Sequence, residues 1–159
     1  MIRRWLMAAT VALAGCAPVP EAASVSYRDS AARISSTLRF DLVRFQGDWV
    51  VQASYPTDVL QRVTIRAVSE TRFIWRADGR ESQGEVTGPG RFRLEGTSEE
   101  YWVLWVDEGF RTAAIGTPEG SFGLILDRKP RGGGTDRMVA AREMLDFNGY
   151  DVSQIALRQ

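Results

Sequence analysis

Eight short runs with strand-like composition follow one another along this sequence and constrain its fold more than any other feature. The runs cover residues 48–55, 62–68, 72–77, 83–86, 91–96, 101–107, 111–116 and 122–128. Turn-forming combinations of glycine, proline and aspartate separate them, as in Asp78-Gly79 and Pro118-Glu119-Gly120. An antiparallel meander of this many strands closes into a barrel, which removes its edges. The sequence therefore predicts an all-β fold, an eight-stranded antiparallel up-and-down β-barrel.

The first and last runs carry residues that can close one end of such a barrel. Gly47 and Trp49 flank one spacer at the start of the first run, and Arg128 ends the last run. The indole is expected to lie across the barrel floor with the guanidinium stacked on it. Such a cation–π contact is worth about 0.5–2 kcal/mol, depending on how well it is desolvated.

In these motifs the sequence resembles the lipocalin family and, within it, the bacterial outer-membrane lipoprotein branch. The resemblance lies in residues 40–49, in the run 101–107 and in the strand that ends at Arg128, in the family's order and at suitable spacing. It implies a small hydrophobic ligand in the barrel, with fatty acids or lysophospholipids as the leading candidates. It also implies a structural role near the closed end for Asp107, although Glu108 stands where the family usually has tyrosine.

The N-terminus has the pattern of a bacterial lipoprotein signal. Arg3 and Arg4 precede an apolar segment, residues 5–13, that is shorter than the roughly 20 residues needed to span a bilayer. Small residues then lead to Cys16, the single cysteine of the chain, where bacteria attach diacylglycerol and cleave. The alternative is an ordinary signal peptide with a chance cysteine. Ala17 favours the outer membrane, because the lipoproteins that this sequence resembles use aspartate there for inner-membrane retention. The predicted location is the outer membrane, lipid-anchored and on the periplasmic side, although the sequence leaves open which face of that membrane carries the protein.

These features divide the chain into three parts. Residues 1–15 are predicted to be the lipoprotein signal peptide. Residues 16–39 contain Pro18 and Pro20 and no sustained apolar period, which predicts a lipidated N-terminus and flexible tether. Residues 40–159 are predicted to form the lipocalin-like barrel with its C-terminal helix.

The C-terminal α-helix is expected to pack on the barrel wall. The run 101–107 is apolar on both faces, which leaves Trp102 and Leu104 on its outer side in need of a cover. After a triple glycine, Met138, Ala141 and Leu145 share one helical face before an Asn-Gly stop. A helix laid on the wall by this face would bury the two outward side chains.

Alternation along the strands predicts which side chains face the barrel interior and bind the ligand. The predicted ligand-binding residues are Val51, Ala53, Tyr55, Phe73, Trp75, Val86, Phe92, Leu94, Tyr101, Val103, Trp105, Thr112, Ala114, Phe122 and Leu124. Small residues in this set face large aromatic ones, which favours a cavity for an elongated apolar molecule bound at about 25 cal/mol per Å². The alternative is a structural envelope lipoprotein whose barrel is packed solid.

Composition excludes several classes of function. The 159-residue chain has no histidine, which rules out Ser-His-Asp and Cys-His catalysis and histidine-ligated zinc or haem. The formal net charge is zero, so no basic face for nucleic acid is expected. Glu85, Asp107, Glu108 and Asp127 could act as acid or base in an enzyme, which is the less favoured alternative, because their spacing does not show any two of them converging on a pocket. No metal or cofactor is predicted. The sequence leaves the oligomeric state open.

Overall fold

The structure is a computed structural model that describes residues 25–56, 60–130 and 135–155. The predicted signal peptide, Cys16 and the first part of the predicted tether lie outside these residues. The described chain contains a short helix α1 (Leu42–Phe45) and a C-terminal helix α2 (Thr135–Phe147). Its strands are β1 (Gly47–Tyr55), β2 (Arg62–Ala67), β3 (Arg72–Ala77), β4 (Arg80–Gly88), β5 (Arg91–Leu94), β6 (Glu100–Val106), β7 (Thr112–Gly116) and β8 (Gly123–Asp127).

The strands form a closed barrel in sequence order. Each strand pairs with the next in antiparallel fashion, and β8 pairs with β1 to complete the circle. Between β3 and β4, Asp78 and Gly79 have positive φ angles of 45° and 83°, as expected for a two-residue hairpin turn that matches the strand twist. The prediction of an eight-stranded antiparallel up-and-down barrel is confirmed.

The two ends of the barrel differ. One end, which we call the floor, holds α1 and the connections β2–β3, β4–β5 and β6–β7. The opposite end, which we call the mouth, holds the connections β1–β2, β3–β4, β5–β6 and β7–β8.

Three register shifts interrupt the alternation of inward and outward side chains, and one of them lies on β4 between Val86 and Gly88, where that strand pairs with β5. On β1 the register with β8 shifts between Val51 and Ala53. On β6 the register with β7 shifts between Val103 and Trp105. Each shift inserts one extra residue, a β-bulge, and therefore moves the following side chains to the opposite face of the strand.

Helix α2 packs against the outer wall formed by β6, β7 and β8. Ala141 and Leu145 are fully buried and Met138 is half-buried, in one apolar cluster with Leu104 and Trp102. The prediction of a C-terminal helix that covers the apolar outer face of the wall is confirmed.

The first turn of α2 is tied to the floor end of the wall through a buried polar group. Arg137 donates a hydrogen bond to the hydroxyl of Thr112 at 2.8 Å and forms an ion pair with Asp127 at 3.4 Å. The same Thr112 hydroxyl donates to Asp127, whose side chain is fully buried, at 2.5 Å. This contact fixes where the helix begins on the barrel.

Residues 26–37, which we call the strap, run along the outside of the barrel from the mouth toward the floor. The Tyr27 N–H donates to the Gly120 carbonyl at 2.8 Å, and the Thr37 N–H donates to the Val103 carbonyl at 2.7 Å. The prediction of a flexible tether is therefore corrected for these residues. Their composition resembles a linker, but their hydrogen-bonding partners lie far along the chain.

Candidate functional site

Trp49 forms the floor of the barrel. Its side chain is 1% exposed, and its indole N–H donates to the Phe45 carbonyl at 2.8 Å. The guanidinium carbon of Arg128 lies 3.6 Å from the ring centroid, so the predicted cation–π contact is present. Burial lowers the pKa of Arg128, while Asp48 and Asp127 raise it. The side chain stays charged because a guanidinium titrates far above neutral pH.

Arg128 also ties the floor together through backbone carbonyl groups. It donates to the carbonyls of Arg44, Phe45, Gln46, Asp48 and Phe110 at distances between 2.9 and 3.2 Å. Gly47 lies beneath it with a φ angle of 108°, and a Cβ atom there would be 2.9 Å from the guanidinium. The glycine before Trp49 thus makes room for the arginine that stacks on the tryptophan.

Asp107 organises the β6–β7 connection at the floor. Its carboxylate accepts hydrogen bonds from the N–H groups of Gly109, Arg111 and Thr112 and from the Arg111 side chain. Burial raises the pKa of Asp107, but these hydrogen bonds outweigh it and hold the pKa below its ordinary value. With its oxygens engaged in a turn, Asp107 has the geometry of a structural residue.

Most of the predicted ligand-binding residues lie in the apolar cluster inside the barrel. They are Val51, Phe73, Trp75, Val86, Phe92, Leu94, Tyr101, Val103, Phe122 and Leu124. Each faces the space that the strands enclose, so these side chains are the ones that could contact a molecule in the barrel.

The other predicted ligand-binding residues lie outside the barrel, and their assignment to its interior is wrong. They are Ala53, Tyr55, Trp105, Thr112 and Ala114. The bulge on β1 turns the first two outward, and the bulge on β6 does the same to the third. Thr112 and Ala114 belong to β7, where apolar or small residues occupy both faces. Alternation therefore could not distinguish the inner face from the outer one, and the prediction took the outer face as the inner one. Ala113 and Ile115 are the inward residues of β7.

Aromatic rings stack through the middle of the interior. The ring centroid of Phe92 lies 5.4 Å from that of Phe73, 5.7 Å from Trp75 and 5.3 Å from Tyr101. Phe122 continues the series, 5.4 Å from Tyr101. Each such contact is worth about 0.5–1.5 kcal/mol beyond the burial of its area.

The floor half of the interior is filled. The apolar space there has no room for a water molecule; it is bounded by Phe40, Leu42, Phe45, Ile65, Phe73, Trp75 and Phe92. A side chain at Gly84 would overlap the ring of Phe73, which lies across it. Small residues were expected to leave a cavity, but three of them, Ala53, Thr112 and Ala114, lie outside the barrel.

In the mouth half of the interior, the described apolar side chains are less deeply buried than those at the floor. Apolar side chains that belong to the interior cluster are half-buried there; they are Leu60, Ala77, Leu94, Tyr101 and Phe122. They form an apolar entrance, and the aromatic series leads from it toward the floor.

The rim of the mouth carries charged side chains of both signs. Arg62 and Arg80 begin β2 and β4 and are exposed. Glu99 and Glu119 line an open depression of about 470 Å³ between the β5–β6 and β7–β8 connections. A molecule with its apolar part in the barrel would meet Arg62, Arg80 and the Asp78 carboxylate, which accepts from the Gln61 N–H, on one side, and Glu99 and Glu119 on the other.

Some interior residues were missed by sequence reasoning. Phe110 and Val106 complete the floor of the apolar cluster, and Phe40 packs on Phe45 with ring centroids 5.2 Å apart. The position of Phe110 could not be found from alternation, because it lies in a loop with a positive φ angle of 54°.

No protein-family model matches this sequence, and no curated protein matches it. Similar solved structures do exist. Lobster apocrustacyanin A1 superimposes with a TM-score of 0.54 over 72% of this chain and 77% of its own, at 13% identity. Apocrustacyanin C1 superimposes with a TM-score of 0.53 over 72% of this chain and 76% of its own, also at 13% identity. Crustacyanin is a lipocalin-family protein.

The chain has the lipocalin fold. At this level of identity the likeness concerns the fold alone, so ligand and location are inferred from the residues of this chain. Within the described parts of this lipocalin barrel, no three His, Cys, Asp or Glu side chains lie close enough to hold a metal ion. Among the same residues, no helix is both long enough and apolar enough to cross a membrane.

Proposed function

We propose that this protein is a lipid-anchored binding protein that holds a fatty acid or lysophospholipid in its barrel, for lipid transport, storage or envelope maintenance. The observation that carries the proposal is the apolar entrance at the mouth, which continues into the aromatic series of the interior. In this proposal the ligand's acyl chain enters between Tyr101 and Phe122, and its polar head stays at the rim.

Space for an acyl chain requires the mouth aromatics to move. The ring contacts that hold Tyr101 and Phe122 are worth about 0.5–1.5 kcal/mol each. Burial of an acyl chain contributes about 0.8 kcal/mol per methylene. A few buried methylenes therefore outweigh the lost ring contacts, and a longer chain gives net binding.

The rim charges favour a zwitterionic head group. The cations of Arg62 and Arg80 suit a phosphate, and the carboxylates of Glu99 and Glu119 suit a quaternary or primary amine. A lysophospholipid offers both groups on one molecule, whereas a fatty acid uses the arginine side only. We therefore rank lysophospholipid above fatty acid as the ligand.

The anchor in this proposal is a diacylglycerol on Cys16, on the periplasmic face of the outer membrane as in the bacterial outer-membrane lipoprotein branch. Acyl chains contribute about 0.8 kcal/mol per buried methylene, and two or more chains anchor a protein stably. The Cys16→Ser variant is expected to appear in the soluble periplasmic fraction and to incorporate no labelled palmitate. Unchanged membrane association of that variant would remove the anchor from the proposal.

A structural barrel without ligand is the second candidate, and the filled floor half favours it. An envelope lipoprotein could use such a barrel only as a stable scaffold. The two candidates differ in whether the mouth half binds lipid, and the binding experiment below separates them.

The binding experiment measures the melting temperature of the Cys16→Ser protein with saturating palmitate or lysophosphatidylcholine. A ligand that binds only the folded state raises the melting temperature. Ala77→Trp places a ring among the half-buried mouth residues and is expected to abolish the shift. Ile74→Trp is the matched control, because it adds the same ring to the outer face of the same strand. If neither lipid shifts the wild type and extraction of the folded protein yields no lipid, the structural candidate is the better one.

A further inference from the structure

The strap reaches the barrel at the mouth. The Ser26 hydroxyl donates to the Glu119 carbonyl at 2.8 Å, and the Tyr27 N–H donates to the Gly120 carbonyl at the same distance. Both acceptors lie in the β7–β8 connection, on the rim of the mouth. The chain that leads back to Cys16 therefore leaves the described protein beside the opening and not beneath the floor.

A buried arginine fixes this attachment. Arg28 is 9% exposed and donates to the carbonyls of Pro118 at 2.6 Å, Asn148 at 3.1 Å and Ala32 at 2.6 Å. Its backbone also pairs with Tyr150, just after α2. Detaching the strap from the barrel would break the hydrogen bonds between this guanidinium and the carbonyls of Pro118 and Asn148. Leaving buried polar groups without partners costs free energy. The distance between the anchor and the mouth is thus set by the residues before Ser26.

The length of that chain limits how the barrel can sit on a membrane. Ten residues lead from Cys16 to Ser26, and they span at most about 35 Å when fully extended. The nine residues of β1 measure about 30 Å along the strand, or roughly 22 Å along the axis of a barrel with strands tilted by about 40°. If the floor faced the membrane, the chain between Cys16 and Ser26 would use about two thirds of its maximum length to run along the barrel wall from floor to mouth.

We infer that the mouth of the barrel faces the lipid surface that holds Cys16, so that the leaflet itself delivers or receives the ligand. This inference rests on the anchor and the ligand class of the proposed function. It adds the orientation of the barrel and the source of the lipid. An open mouth close to the leaflet allows an acyl chain to pass between bilayer and barrel with little exposure to water.

The surface at the mouth suits contact with a zwitterionic leaflet. Val25, just before the strap, is 67% exposed, and Phe147 at the end of α2 is 74% exposed. Both lie at the mouth end, because α2 ends beside the residues that Arg28 binds. The rim arginines and glutamates match the phosphate and amine of the head groups. The competing surface is at the floor, where an apolar groove of about 430 Å³ lies beside exposed Leu38 and Val43 and where Val68 is also exposed.

The test measures which end lies near the lipid. Full-length acylated protein carrying Glu119→Cys at the mouth or Glu108→Cys at the floor is labelled with a fluorophore and reconstituted into phosphatidylcholine vesicles. Both positions are exposed loop glutamates, so each variant controls for the other. Head-group spin-labelled lipid is expected to quench the label at position 119 more strongly. Equal quenching, or stronger quenching at position 108, would overturn the inference.

A second variant tests whether the tether sets the orientation. Twenty glycine and serine residues inserted between positions 24 and 25 should reduce the difference in quenching between the two labels. An undiminished difference would overturn the claim that the short tether orients the barrel. These outcomes are separate from the proposed function, since the membrane association and lipid binding of Cys16→Ser are measured without the fluorophore at position 108 or 119.

Discussion

At the scale of single residues, the floor depends on Trp49 and Arg128 acting together. The guanidinium lies 3.6 Å from the indole centroid and also binds five backbone carbonyls. Trp49 is nearly fully buried, so Trp49→Ala should cost about 3–5 kcal/mol of unfolding free energy. Arg128→Ala should cost about 2 kcal/mol or more, because several charged hydrogen bonds are lost.

The two substitutions should be non-additive by about 0.5–3 kcal/mol, since the residues share one contact. Urea unfolding of the wild type, both single variants and the double variant measures this coupling. The control replaces exposed Arg39 by alanine in the Trp49→Ala background. The unfolding free energies lost by Arg39→Ala and Trp49→Ala should sum, within error, to the loss of the double variant. A coupling of zero between Trp49 and Arg128 would contradict the role given to the stacked pair.

Gly47 provides a second test at residue scale. Gly47→Ala combines a backbone strain at φ 108° with a Cβ only 2.9 Å from Arg128. Gly79→Ala has the strain alone, because its φ angle is 83° and no atom lies within 4 Å of the added Cβ. Strain of this kind costs of order 1–3 kcal/mol. Denaturant unfolding should show a larger loss of unfolding free energy for Gly47→Ala than for Gly79→Ala. An equal loss would mean that the Arg128 side chain moves away from the added Cβ without destabilising the protein.

At the scale of secondary-structure elements, the contact between Arg137 and Asp127 holds α2 to the wall. Asp127 is fully buried, while the Arg137 side chain is 20% exposed. Removing one partner of a buried pair leaves a buried charge and costs about 3–5 kcal/mol, whereas replacing both partners costs much less. Arg137→Met should therefore destabilise strongly, and Asp127→Asn in the same chain should restore part of the loss.

The surface pair Arg76–Glu81 is the control for that prediction. Both of its side chains are more than half exposed, so Arg76→Ala should change stability by no more than about 1 kcal/mol. Calorimetric or denaturant unfolding distinguishes the two pairs. Similar small losses for Arg137→Met and Arg76→Ala would show that the buried pair does not hold the helix.

The bulge on β6 explains how one strand presents apolar side chains both to helix α2 and to the barrel interior. On β6 the bulge leaves Leu104 and Trp105 on the side of α2, while Val103 and Val106 face the barrel interior. Strict alternation would have turned one of the two α2-facing side chains away from the helix. The bulge therefore enlarges the surface available to α2 without emptying the barrel.

At the scale of the whole molecule, buried tyrosines link stability to alkaline pH. Burial raises the pKa of Tyr55, Tyr101 and Tyr150 above its ordinary value. In the unfolded chain these phenols titrate near pH 10. Their contribution to stability is fully present below that pH and is lost as the pH rises through about 10 toward the folded-state values, because the unfolded chain then binds fewer protons.

We therefore expect the unfolding free energy to fall as the pH rises above about 10, where the phenols of the unfolded chain begin to lose their protons. Tyr150→Phe should lower stability near pH 7, since its hydroxyl bonds to Thr117 and Phe122. The same variant should also lose less stability on going to alkaline pH. The chain contains a single lysine, Lys129, so few other groups titrate there. Urea unfolding at several pH values checks this, and an unchanged alkaline slope would refute the link.

Several features could be predicted because they depend on local pattern or on residues with one plausible role. The strand runs and turns predicted the barrel, since short alternating strands joined by tight turns have few other ways to bury their apolar faces. The apolar face of Met138, Ala141 and Leu145 predicted the covering helix for the same reason. The pairing of Trp49 with Arg128 followed from their positions at the ends of the first and last strands.

Other features were decided only by tertiary structure. The faces of Ala53, Tyr55 and Trp105 depend on bulges, and a bulge is set by how two strands meet and not by the residues of one strand. The face of β7 could not be found from alternation, because apolar or small residues occupy both of its faces and all of them are buried. The docking of Arg28 depends on carbonyls about ninety and one hundred and twenty residues away.

By itself, then, the sequence determined the class of fold, the closed floor and the covering helix, because each is encoded in periodicity, in turns or in a single pair of residues. Tertiary structure alone decided that the floor half is filled, that the strap is bound, and that the chain leaves the barrel beside its mouth. These last properties arise from packing and hydrogen bonds between residues distant in sequence, and no local pattern records which distant partner a side chain will meet.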